Sequence, residues 1–168
     1  MLSKWDKGYT KAELEAAQEK FGLIFPPDLI TLFLEKRPVG GHDWRDEAAI
    51  NRMISWPFES LLFDMEHNGL WWSEWGERPI AAESRIEILR RVVSRAPRLI
   101  PLYRHRFLPE LPHEAHNPVF SVYGEDTIVY GANLDDYFNR EFAASHNQPR
   151  LENIKYIPFW SDLVERNQ

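Results

Sequence analysis

The sequence predicts an α+β domain in which N-terminal helices pack on a small, mostly antiparallel sheet contributed by later residues. Three observations carry that expectation. Up to about Ala96, apolar residues recur at helical spacing between capping and stop signals. From Leu99 onward, short β-branched and aromatic runs replace them. The order, helices first and adjacent strands afterwards, is that of a segregated α+β fold rather than a doubly wound sheet. With 168 residues, no internal repeat and no low-complexity linker, residues 1–168 are expected to form a single domain.

Thr10-Lys11-Ala12-Glu13 has the form of a capping box, in which hydroxyl and carboxylate satisfy unpaired backbone donors at a helix start. Leu14, Ala17 and Phe21 then share one face, and Gly22 supplies a left-handed stop. A second helix opens at Pro27 with Asp28 beside its positive end, buries Leu29, Leu32 and Phe33, and ends at residues 38–41. A third is expected over Asp46 to Ile54. Pro57 should begin a fourth, which turns Leu61, Leu62 and Met65 inward and stops at Asn68-Gly69. Between Glu83 and Ala96, Ile86, Leu89, Val92 and Val93 keep helical spacing while Arg85, Arg90, Arg91 and Arg95 form the solvated side; Pro97 closes that helix. Residues 99–103 and 118–131 read as strands, the latter pair joined by a tight turn at Gly124-Glu125-Asp126. Asn133 caps a further helix whose first turn holds Asp135 and Asp136. Residues 143–153 read as a polar loop, followed by a short strand and a terminal amphipathic turn.

Composition narrows the function classes. At 43% hydrophobic and 27% charged residues the chain is of ordinary globular type. The absence of cysteine excludes disulfides, thiolate metal sites and a cysteine nucleophile, and fits a cytoplasmic setting. The first residues lack a secretory-type apolar core, and no apolar stretch approaches the roughly 20 residues of a membrane span. A net charge of −6 argues against direct binding of nucleic acid and suits solubility or a basic protein partner.

Candidate chemistry is sparse. His113 and His116 lie three apart in a Pro-bounded segment, whereas a helical zinc motif places two histidines four apart, so no metal site is expected. His42-Asp43 and Glu66-His67 pair an imidazole with an adjacent carboxylate, but neighbouring side chains seldom face each other. Ser60, Ser73 and Ser121 sit in no nucleophile elbow. Gly40-Gly41 is too short for a phosphate cradle. The pairs Asp135-Asp136 and Glu125-Asp126 are accounted for by a helix dipole and a turn. No catalytic set and no cofactor are therefore expected. The enzymatic alternative is a small hydrolase or ligand-binding domain that joins His67, His105 and nearby carboxylates in a deep pocket.

The most informative stretch is Glu66 to Gly76, EHNGLWWSEWG, with three tryptophans within five residues. On a helical turn Trp71 and Trp75 would share a face and Trp72 would point elsewhere. The rings lid the helical half of the core, anchor a partner, since tryptophan carries much of the energy at interface hot spots, or line a small-molecule pocket. Trp71, Trp72 and Trp75, bordered by Asp64, Glu66 and Glu74, are the expected partner-binding residues.

Several segments resemble the SUKH superfamily, the Knr-like group that includes fungal cell-wall-assembly regulators and bacterial immunity proteins. Phe21-Gly22, then Phe25-Pro26-Pro27-Asp28-Leu29 and Leu32-Phe33-Leu34, are similar to its opening. Asn117 to Tyr123, Ile128-Val129-Tyr130-Gly131 and Asn133-Leu134 with Tyr137-Phe138 resemble its strand-turn-strand-helix close. The resemblance implies an α+β domain without an established catalytic constellation. It further implies a protein-binding role: an immunity protein that neutralises a cognate toxin such as a nuclease, or alternatively a regulatory scaffold.

Overall fold

A computed structural model describes residues 4–143 and 152–167. The fold is α+β, and the sheet order follows from which segments can hide apolar surface on both faces. Four short strands, β3 (Leu99–Tyr103), β4 (Arg106–Pro109), β5 (Val119–Ser121) and β6 (Ile128–Gly131), pair antiparallel in chain order. Alternation along these strands sends Ile100, Leu102, Leu108 and Val119 to one apolar cluster and Leu99, Phe107 and Phe120 to a second. Helices cover both faces. On the first lie α1 (Lys11–Phe21), α2 (Pro27–Glu35) and α5 (Leu134–Phe142), contributing Leu14, Leu29, Phe33 and Tyr137. On the second lie α4 (Ala82–Ser94) and α6 (Trp160–Arg166), contributing Leu89, Trp160 and Leu163.

The predicted caps form. Thr10 and Glu13 complete the box on α1, and Gly22 ends it at φ +64°. Asn133 caps α5 by accepting the Asp136 amide at 2.8 Å. A small second sheet, β1 (Trp5–Lys7) against β2 (Lys36–Pro38), is an addition to the expected elements. So is β4, whose four residues are too few to display a period.

The helices expected on either side of Pro57 are one. Helix α3 runs from Glu47 to His67 with Pro57 inside it. An interior proline removes a hydrogen bond and costs about 3 kcal/mol. Burial outweighs that cost: Ile50 enters the first cluster, while Leu61 and Met65, both fully buried, enter the second. Continuous pairing of both clusters by one rod is something neither half could supply alone.

The turn after β5 is a 3₁₀ turn, Gly124–Asp126, seated on α3. Trp56 donates its indole N–H to the Val122 carbonyl at 2.7 Å, Ser60 Oγ accepts the Gly124 amide at 3.1 Å, and Asp64 Oδ2 accepts the Glu125 amide at 2.7 Å. Those three residues recur every fourth position, so they form one ladder along α3. The strand expected after Ile154 is also corrected. Its backbone donors are taken by side chains that start α6, with the Ile157 amide on Ser161 Oγ at 2.8 Å and the Phe159 amide on Asp162 at 3.2 Å. Most of the expected polar loop at 143–153 lies outside the described residues. No helix among the described residues is long and apolar enough to cross a membrane.

Gly124 has φ +57°, and a Cβ there would run into the Asp64 carboxylate and stand 2.9 Å from the Ser60 carbonyl. Gly124→Ala should therefore lose at least about 2 kcal/mol by strain and clash together. Gly69→Ala, at φ +74° but in open space, should lose only about 1 kcal/mol. Urea denaturation of the two variants separates these outcomes.

Candidate docking site

Helix α3 ends at His67, and Leu70 drops into the second cluster, which anchors the start of the connector to α4. The chain then forms a 3₁₀ turn at Ser73–Trp75. All three indoles are half-buried and pack against the second cluster. Trp71 meets Trp75 edge-on at 5.2 Å, as a shared face would give. Trp72, however, also stacks on Trp75, at 5.3 Å and 27°, because the tighter 3₁₀ turn brings its ring round. Its position apart from the other two is thus corrected. Phe159, from the residues before α6, closes on Trp72 at 5.2 Å.

Arginines hold this connector. Arg85 grips Glu66 through two bonds of 3.0 and 2.7 Å and also donates to the Pro79 carbonyl at 3.1 Å. Arg78 donates to the Met65 carbonyl at 3.0 Å, and the Trp71 indole to the Gly76 carbonyl at 2.8 Å. Arg166 lies over the Trp72 ring at 3.9 Å while bonding Glu74 at 2.7 Å. A cation so placed on an indole contributes about 0.5–1 kcal/mol at an exposed site. The aromatic cluster is thus a fixed surface, not a set of free rings.

Of the six residues expected to form the site, the structure brings Trp71, Trp72, Trp75 and Glu74 together. Glu66 borders the same connector through Arg85. Asp64 faces the other way, into the turn at Gly124–Asp126, with its second oxygen taken by Asn68 at 2.6 Å. All three carboxylates are engaged inside the fold. Sequence reasoning missed Phe159 and Arg166, which arrive from the far end of the chain, and it treated Arg91 and Arg95 as mere solvation. A surface depression of about 610 Å³ joins them, lined by Trp72, Trp75, Val92, Phe159, Arg91 and Arg95 among others.

Among the described residues, the histidines do not gather with carboxylates into a common site. His67 is exposed and stacks on Phe63 at 4.5 Å. His105 lies against Trp56 at 4.7 Å with its Nδ1 2.9 Å from the Tyr123 hydroxyl, and burial pushes its pKa down. Trp56, against which His105 packs, and His67 are eleven residues apart on α3, roughly 16 Å along the helix axis. His42 donates to the Arg104 carbonyl at 2.7 Å, and burial lowers its pKa as well. In the His113–His116 segment, Glu114 is paired with Lys155 at 2.8 Å. Among the described residues no three His, Asp or Glu side chains are grouped to hold a metal ion.

The hydrogen bonds from Arg85 and Arg166 hold the Glu66 and Glu74 carboxyls below their ordinary value of 4.5. A depressed folded-state pKa contributes stability that is full above the ordinary value and disappears as pH falls through the lower one. Between about pH 5 and pH 3, wild-type stability to urea should therefore fall more steeply than that of the Glu66→Gln, Glu74→Gln double variant. Parallel curves would show that neither pair matters to folding.

No protein-family model, curated protein or solved structure matches this chain. Its function is accordingly read from the arrangement just described.

Proposed function

We propose that this chain is a non-enzymatic protein-binding domain that docks a partner on Trp71, Trp72 and Trp75. The observation that carries the reading is three indoles left half-exposed on a short connector and fixed there by Arg85, Arg166 and Phe159. Fixed aromatic rings lose little conformational freedom on association, which is the property of an interface anchor. A lid that served only the core would be expected to bury those rings fully. The likeness to the SUKH superfamily narrows the proposal to an immunity protein that neutralises a toxin. The net charge of −6 favours an overall basic toxin, such as a nuclease, through long-range steering. The scattered imidazoles give no support to the hydrolase alternative.

The test is titration calorimetry against candidate nuclease-toxin domains drawn from the genes flanking this one, with nuclease inhibition as the second readout. Trp72→Ala with Trp75→Ala should weaken binding about a hundredfold or more, in the range of an aromatic hot spot. Circular dichroism should retain the native fold at 25 °C, about the usual assay temperature. Unaltered affinity would remove the surface from the proposal. Failure of the wild type to inhibit would remove the immunity role.

A further inference from the structure

We infer that the groove between α4 and α6 seats an acidic segment of the partner that carries an apolar or aromatic side chain. This deepens the docking proposal and rests on it. The apolar residues lining the groove of about 610 Å³ include Trp72, Trp75 and Val92. Its charges are unequal in availability. Glu74 is bound by Arg166 at 2.7 Å, and Asp162 accepts from the Tyr156 hydroxyl at 2.6 Å and the Phe159 amide at 3.2 Å. Glu74 is thus matched by a cation, whereas both bonds to Asp162 fall on its Oδ2 and come from neutral donors. Of the cations on α4, Arg91 stands 3.8 Å from Glu87 in a well-exposed pair that solvent screens, and Arg95 forms no ion pair among the described residues. Being one turn apart, Arg91 and Arg95 present two guanidinium groups on one side of α4, each able to take a carboxylate through two bonds.

With Arg91, Arg95 and Arg166 against Glu74 and Asp162, the charged residues lining the groove sum to a positive value, opposite in sign to the net charge of the chain. Steering acts over a Debye length and reads the sum of all charges, whereas seating reads the groups within contact. A basic partner with an acidic loop satisfies both. Single-stranded nucleic acid, the other anion that uses arginine and aromatic rings, fits less well. Base stacking needs an open ring face, and Trp72 is already covered by Arg166, Trp75 and Phe159.

The test is fluorescence anisotropy with four fluorescein-labelled probes: the peptide Glu-Asp-Leu-Phe-Glu-Leu-Asp-Glu, its all-Lys counterpart at the acidic positions, a version with Ser for each apolar residue, and oligo-dT of the same length. The acidic apolar peptide should bind at least about tenfold tighter than the other three and weaken as salt is raised. Arg91→Glu with Arg95→Glu, both on the exposed side of α4, should lower that affinity at least about tenfold with an unchanged melting temperature. Preference for the lysine peptide would overturn the inference and leave the docking proposal standing, as would no binding of any probe by a chain that still binds its toxin. Preference for oligo-dT would overturn both.

Discussion

The ladder formed by Trp56, Ser60 and Asp64 is the constraint on which the rest of this fold depends. Three side chains of one helix take the Val122 carbonyl and the Gly124 and Glu125 amides in sequence. These are buried or half-buried backbone groups that would be costly to leave unpaired. Their pairing fixes the link from β5 to β6 on α3, which in turn holds the four-stranded sheet against the second core. The cost of proline in the middle of α3 is offset by the ladder and by the buried Leu61 and Met65.

The same organisation explains the aromatic connector. A sheet covered on both faces needs two apolar layers, and Met65 near the end of α3, with Leu70 just beyond the helix, carries the second to its edge. The tryptophans extend that layer into solvent. Arg78 and Arg85 tie the surrounding backbone to the end of α3 and the start of α4, so the rings emerge from a rigid frame. An exposed aromatic patch on such a frame is suited to recognition, because the cost of ordering it has been met in folding. By the same geometry the arginines of α4, drawn by periodicity to the side opposite Leu89, come to line a groove with the residues preceding α6.

Histidine placement bears on chemistry as much as on fold. His42 and His105 clasp loops, one through a backbone carbonyl and the other through Trp56 and Tyr123. Burial lowers both pKa values, so each is favoured in the neutral form. Reactive pairs would require a carboxylate or hydroxyl oriented toward a common ligand.

Local physics alone determined much of this protein. The Thr10–Glu13 box, the stop at Gly22, the cap at Asn133 and the helical stripes need only neighbours a turn away, so they were legible in the sequence. The α+β class followed from the change in period after Pro97. What only the tertiary structure decided rests on partners distant in the chain. Pro57 marks a helix start by local rules, yet burial at both ends of α3 overrode its cost. Strands β3, β4 and β5 are too short and too fully buried to alternate visibly, so their pairing and two-sided cover could not be read from pattern. Asp64, Glu66 and Glu74 looked like free charges beside an aromatic loop, whereas each finds its partner across 19 to 92 positions or in the turn on α3. Sequence names the groups that carry charge and apolar surface; only folding fixes which of them remain unmatched and hence able to meet another molecule.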